Sequence, residues 1–64
     1  MAWGKDGEEV RAQAQVELSL VRQPLYRLGQ VLRTLQHPEK GPELRDLHRD
    51  LTLTLDRIEA VLRR

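Results

Sequence analysis

The fold of this chain is decided by residues 18–35, LSLVRQPLYRLGQVLRTL. Apolar residues recur in this stretch at alternating steps of three and four, the spacing of a helix face that packs against other helices. A second run with similar spacing begins at Leu44 and continues to Leu62. We predict that the two runs form the packing and oligomer interface, whose residues are Leu18, Val21, Leu25, Leu28, Leu32, Leu35, Leu44, Leu47, Leu51, Leu55, Ile58 and Leu62.

The two runs are separated by His37-Pro-Glu-Lys-Gly-Pro42, which no helix is expected to cross unbroken. The first proline biases the residue before it away from helical dihedral angles. Gly41 suits an N-cap with Pro42 at the first helical position, and Asp6 followed by Glu9 has the form of a capping box for the first helix. The chain is therefore predicted to be a single all-α helical hairpin over residues 1–64, with a tail at 1–5, helix 1 at 6–36, a loop at 37–41 and helix 2 at 42–64.

Pro24 lies inside the apolar run of helix 1, where a proline removes a backbone hydrogen bond and costs about 3 kcal/mol. The run keeps its phase through the proline, since Leu18 and Val21 align with Leu25 and Leu28 along the helix. The residues beside Pro24 include no Gly, Asn, Asp or Ser that would favour a turn. We predict one helix kinked at Pro24, with a break that gives three helices as the alternative.

The small size of the chain predicts self-association. It has 64 residues and no cysteine, whereas domains this small usually depend on a disulfide, a metal or oligomerisation. Helix 2 is also predicted to be the shorter helix, so that Arg64 would reach only the level of Gln15 and leave Trp3, Val10 and Ala14 uncovered. Both observations predict a homodimer or higher oligomer, with an antiparallel four-helix bundle as its simplest form.

Composition and charge argue against several classes of protein. Lys and Arg number 11 against 10 Asp and Glu, so net charge favours neither a nucleic-acid nor an anionic membrane partner. The sequence contains no apolar run suited to a signal peptide or a membrane span, and we expect a cytoplasmic protein. Residue types with AT-rich codons are scarce, which suggests a bacterial source.

Several apolar residues fall outside the two runs. Leu20, Pro24 and Val31 widen the apolar face of helix 1, and Leu53 lies on the side of helix 2 opposite its run. Burial in the oligomer explains the first group, and simple exposure to solvent explains Leu53. The alternative is that Leu20, Val31 and Leu53 contact a different protein.

Arg11, Arg22 and Arg33 recur at intervals of three helical turns and so lie nearly in line on helix 1, with Tyr26 among them. Arginines beside an aromatic ring can bind phosphates and stack on a base. The ordinary explanation is that such residues cover apolar side chains and pair with acids of a neighbouring helix. Nucleic acid is therefore an alternative partner of this stripe and not the expected one.

No residue cluster has the spacing of a catalytic, cofactor or metal site. His37 lies in the predicted loop and His48 at the edge of the second run, and neither belongs to a Glu-x-x-His motif. The serine and threonine hydroxyls have no base at a convincing spacing. We predict no enzymatic activity, no cofactor, no metal and no small-molecule substrate.

These observations favour a small protein–protein interaction or regulatory module that acts as a homo-oligomeric helical bundle. Two alternatives remain open. An RNA- or DNA-binding hairpin dimer would use the arginine and tyrosine stripe on helix 1. A subunit or chaperone of a larger complex would use the apolar flank that contains Leu20 and Val31.

Overall fold

The structure, a computed structural model, describes residues 3–64 and consists of two helices that pack against each other. They are α1 (Gly4–Thr34) and α2 (Lys40–Leu62). The predicted all-α helical hairpin is confirmed at this level. The hairpin measures 50 × 19 × 11 Å, so it is a single layer two helices wide.

Helix α1 begins earlier than the sequence predicts. Its first residue is Gly4, whose φ of +76° lies in the left-handed region that glycine tolerates. Asp6 and Glu9 lie inside the helix, and the N-cap residue Trp3 makes no side-chain capping hydrogen bond. The predicted capping box is therefore wrong. Part of the predicted tail, residues 1–2, lies outside the described residues.

Helix α1 runs through Pro24 without interruption. The alternative of three helices is therefore wrong. Proline removes the hydrogen bond that its own N–H would donate to the carbonyl of Leu20, and its ring crowds that carbonyl. Because the apolar run stays in phase, Leu18 and Leu25 on either side of Pro24 are both buried against α2, and this packing offsets the lost bond.

The turn between the helices is built around His37. Helix α1 ends at Thr34, and the next residue is extended. The His37 Nδ1 atom accepts hydrogen bonds from the backbone N–H groups of Glu39 and Lys40, at 3.2 and 3.0 Å. The first amides of α2 are thus capped by His37, and not by Gly41 as the sequence predicts. A Cβ atom at Gly41 would lie 3.3 Å from the Leu35 carbonyl oxygen, so glycine allows this tight approach.

The far end of α2 is held by the first turns of α1. The Trp3 indole N–H donates to the carbonyl oxygen of Arg64 at 3.0 Å. Arg11 donates through Nε to the carbonyl oxygen of Leu62, and its guanidinium lies 6.0 Å from the centre of the Trp3 ring. The expected reach of Arg64 only to Gln15 is therefore wrong. The turn lies earlier in the chain than predicted, because α1 ends at Thr34 and α2 begins at Lys40, each two residues early. The end of α2 therefore reaches Arg11.

Only part of the predicted interface lies between the two helices. Leu18, Leu25 and Leu62 are buried there, each 8% exposed, and Leu32 and Leu55 are half-buried. The remaining members are 37–57% exposed and are Val21, Leu28, Leu35, Leu44, Leu47, Leu51 and Ile58. The hairpin therefore closes over a narrow core and leaves much of its apolar surface uncovered.

Candidate interaction surfaces

The uncovered apolar residues of both helices lie on the same side of the hairpin. Leu28 of α1 lines a shallow depression together with Leu44, Leu47 and Leu51 of α2. A second depression continues along α2 past Ile58. Helical periodicity places Val21 and Leu35 one heptad before and after Leu28, on the same side. We call this surface the apolar face, and its residues are Val21, Leu28, Leu35, Leu44, Leu47, Leu51 and Ile58.

The flank of α1 extends the apolar surface beyond this face. Leu20 and Val31 are 62% and 63% exposed, and Pro24 beside them is also exposed. Leu53 is 48% exposed and projects from the opposite side of α2, away from the apolar face. All of the residues predicted as possible contacts for another protein are thus accessible in the hairpin.

The other side of the hairpin is polar and carries ion pairs between the helices. The Arg22 Nη2 atom lies 3.1 Å from Asp56 Oδ1 and 3.3 Å from Glu59 Oε2. Glu59 also pairs with Arg63 at 3.2 Å. Arg22 therefore serves the packing of α1 on α2, as the ordinary explanation for the arginine stripe predicts.

The residues of the predicted nucleic-acid stripe have different environments in the structure. Arg11 pairs with Glu8 at 3.2 Å and binds the end of α2, so Arg11 and Arg22 both have partners within the chain. Arg33 lies elsewhere, in a groove between the helices near the turn. Tyr26 is 64% exposed on the same polar side.

The groove near the turn collects arginines from both helices. Arg33 of α1 and Arg45 and Arg49 of α2 line it together with His48 and Thr52. Among residues 3–64, no carboxylate oxygen lies within 4.0 Å of a nitrogen of these three guanidinium groups. We call this surface the arginine groove. Arg45 and Arg49 were not predicted as nucleic-acid contacts, because all the predicted contacts lie on helix 1. Their spacing of one turn around His48 is nevertheless visible in the sequence.

His48 of α2 makes a polar contact with the backbone of α1. Its Nε2 atom lies 2.7 Å from the carbonyl oxygen of Leu25, to which it donates a hydrogen bond. A Cβ atom at Gly29 would lie 2.7 Å from His48 Cε1, closer than real side chains approach. Gly29 therefore forms the notch that receives the imidazole. In the described part of the chain, no group of three or more His, Asp or Glu side chains is placed to hold a metal ion.

We expect Gly29→Ala to destabilise the protein although alanine is the better helix former by about 1 kcal/mol. The added methyl group would displace the His48 ring from its notch and break its hydrogen bond to Leu25. In a His48→Ala background the same substitution should stabilise the protein, because the ring is gone. Urea denaturation of both single variants and the double variant measures the coupling, expected at about 1 to 3 kcal/mol. Equal effects of Gly29→Ala in the two backgrounds would contradict the notch.

Comparison with protein-family models, curated proteins and solved structures found no match. No helix within residues 3–64 is both long enough and apolar enough to cross a membrane. The function must therefore be argued from the two faces of the hairpin.

Proposed function

We propose that this protein is a non-enzymatic interaction module that acts as a homodimer, in which two hairpins pack through their apolar faces into an antiparallel four-helix bundle. The observation that carries the proposal is the apolar face itself. Leu28, Leu44, Leu47 and Leu51 line one continuous depression across both helices and remain 37–57% exposed in the single chain. Contiguous apolar surface of this kind marks an interaction site in most proteins.

The dimensions of the hairpin suit a dimer of this kind. A flat layer 50 Å long and 19 Å wide presents one broad side to a partner, as the packing of two hairpin layers into a four-helix bundle requires. The single hairpin buries only Leu18, Leu25 and Leu62 among its large apolar residues in the described chain. A second hairpin would supply the missing half of the core.

Charge does not oppose a second copy of the chain as the occupant of the apolar face. The net charge is only +1, so two copies repel each other weakly. The pairs of Arg22 with Asp56 and Glu59 lie on the opposite side, where association leaves them in contact with water. A two-fold axis through the face would bring leucines of one hairpin onto leucines of the other without burying these charges.

The molar mass in solution tests the proposal. We expect multi-angle light scattering after size exclusion to give twice the 7.5 kDa of one chain. The midpoint of thermal unfolding should also rise with protein concentration, because unfolding is coupled to dissociation. A mass of one chain with a midpoint that is independent of concentration would overturn the homodimer.

A subunit of a larger complex is the second candidate. Leu20 and Val31 are more than 60% exposed and extend the apolar surface around α1, beyond the face that one hairpin covers. A larger partner helix could occupy that flank. This candidate predicts a chain that is insoluble or heterogeneous when produced alone, whereas the homodimer predicts a monodisperse species.

A further inference from the structure

The arginine groove brings like charges together without neutralising them. Arg45 and Arg49 are one helical turn apart on α2, a spacing at which like charges destabilise a helix, and Arg33 faces them from α1. Arg22 shows the contrast, since two carboxylates of α2 hold it on the same side of the hairpin. In the part of the chain that the structure describes, the groove has no such carboxylate. An anionic ligand would supply the missing charge.

The guanidinium group selects the kind of anion. Its planar fork donates two parallel hydrogen bonds to phosphate or carboxylate oxygens, and arginine is favoured wherever phosphates are bound. The groove offers three guanidinium groups from two helices. This combination suits the phosphates of an extended ligand better than one isolated charge.

An aromatic ring lies next to the groove. Tyr26 is 64% exposed and lines the adjoining depression with His48 and Thr52, which also line the groove. Exposed aromatic rings beside phosphate-binding residues are where unpaired bases stack in single-stranded nucleic acid complexes. A phosphorylated peptide or a free phosphate has no base that could stack on this ring. We propose that the arginine groove and Tyr26 bind single-stranded nucleic acid, with phosphates on Arg33, Arg45 and Arg49 and a base on Tyr26.

The proposed site is independent of the proposed dimer interface. Arg33, Arg45 and Arg49 lie on the polar side of the hairpin, opposite the apolar face. A homodimer formed through the apolar face would carry one groove on each outer surface. Failure of nucleic-acid binding would therefore not contradict the proposed dimer. If the protein is a monomer, each chain still has one arginine groove.

Fluorescence anisotropy with a labelled oligouridylate of about twelve nucleotides tests the site, at about 50 to 200 mM salt. The test variant is Arg45→Gln/Arg49→Gln. The control is Lys5→Gln/Arg27→Gln, which removes the same charge from two exposed positions of α1 outside the groove. We expect the groove variant to bind at least about tenfold more weakly, with a salt slope reduced by about 0.7 for each lost phosphate contact. The control should bind within about twofold of the original protein.

Tyr26→Leu separates stacking from charge. It should weaken binding roughly tenfold without changing the salt slope, because no phosphate contact is lost. Circular dichroism and molar mass of each variant establish that the hairpin is retained.

Equal losses in the groove and control variants would overturn the proposal, as would unchanged affinity in Tyr26→Leu. Displacement of the oligonucleotide by low millimolar inorganic phosphate at constant ionic strength would also overturn it, since that result indicates a site for a single phosphate.

Discussion

Leu51→Glu is expected to convert the protein from a species of twice 7.5 kDa into a monomer with little stable structure. Leu51 lies in the centre of the apolar face, in the depression it shares with Leu28, Leu44 and Leu47. In the proposed bundle this position is covered by the second hairpin, so a carboxylate there would be buried without a partner. Such a charge costs about 3 to 5 kcal/mol, and a dimer contains two of them. Light scattering gives the mass, and circular dichroism gives the helix content.

Leu53→Glu is the matched control. Leu53 lies on the same helix and has nearly the same exposure in the single chain, 48% against 47% for Leu51. It projects from the opposite side of α2, so its substitution should leave the mass and the unfolding midpoint nearly unchanged. The two variants have the same composition and differ only in the face that carries the charge. Identical behaviour of the pair, whether both stay dimeric or both dissociate, would contradict the assignment of the apolar face.

Leu25→Ala is expected to lower the free energy of unfolding by about 2 to 5 kcal/mol for each chain. Leu25 belongs to α1, is 8% exposed and packs against α2. Its truncation therefore leaves a cavity whether or not a second hairpin is present. A dimer would lose two such contacts in one unfolding transition. Urea denaturation at several protein concentrations separates the loss within each hairpin from the loss of association.

Leu20→Ala serves as the reference for that measurement. Leu20 is 62% exposed on the outer flank of α1, and alanine is a slightly better helix former than leucine. We expect a change of no more than about 0.5 kcal/mol. A loss as large as that of Leu25→Ala would show that the outer flank is buried in solution and would favour a higher oligomer of this chain over the simple homodimer.

The sequence alone was sufficient to predict the two helices, because leucine spacing and the break at residues 37–42 are local signals. It was less accurate at the helix ends. His37 caps α2 through its ring nitrogen, and Trp3 and Arg11 hold the last carbonyls of α2. These bonds join residues by geometries that short sequence motifs do not encode, and two of them connect opposite ends of the chain.

The sequence by itself determined that this protein is a helical hairpin with an apolar stripe wider than one partner helix can cover. It also favoured a helix α1 that continues past Pro24, because the stripe stays in phase, but the structure was needed to exclude a break there. Only the tertiary structure decided which leucines face inward. A broad stripe allows α1 and α2 to roll against each other, and the choice depends on long-range contacts, the His48 ring in the Gly29 notch and Arg22 on Asp56. In the packing that results, Leu51 faces outward, and arginines of both helices lie in one groove.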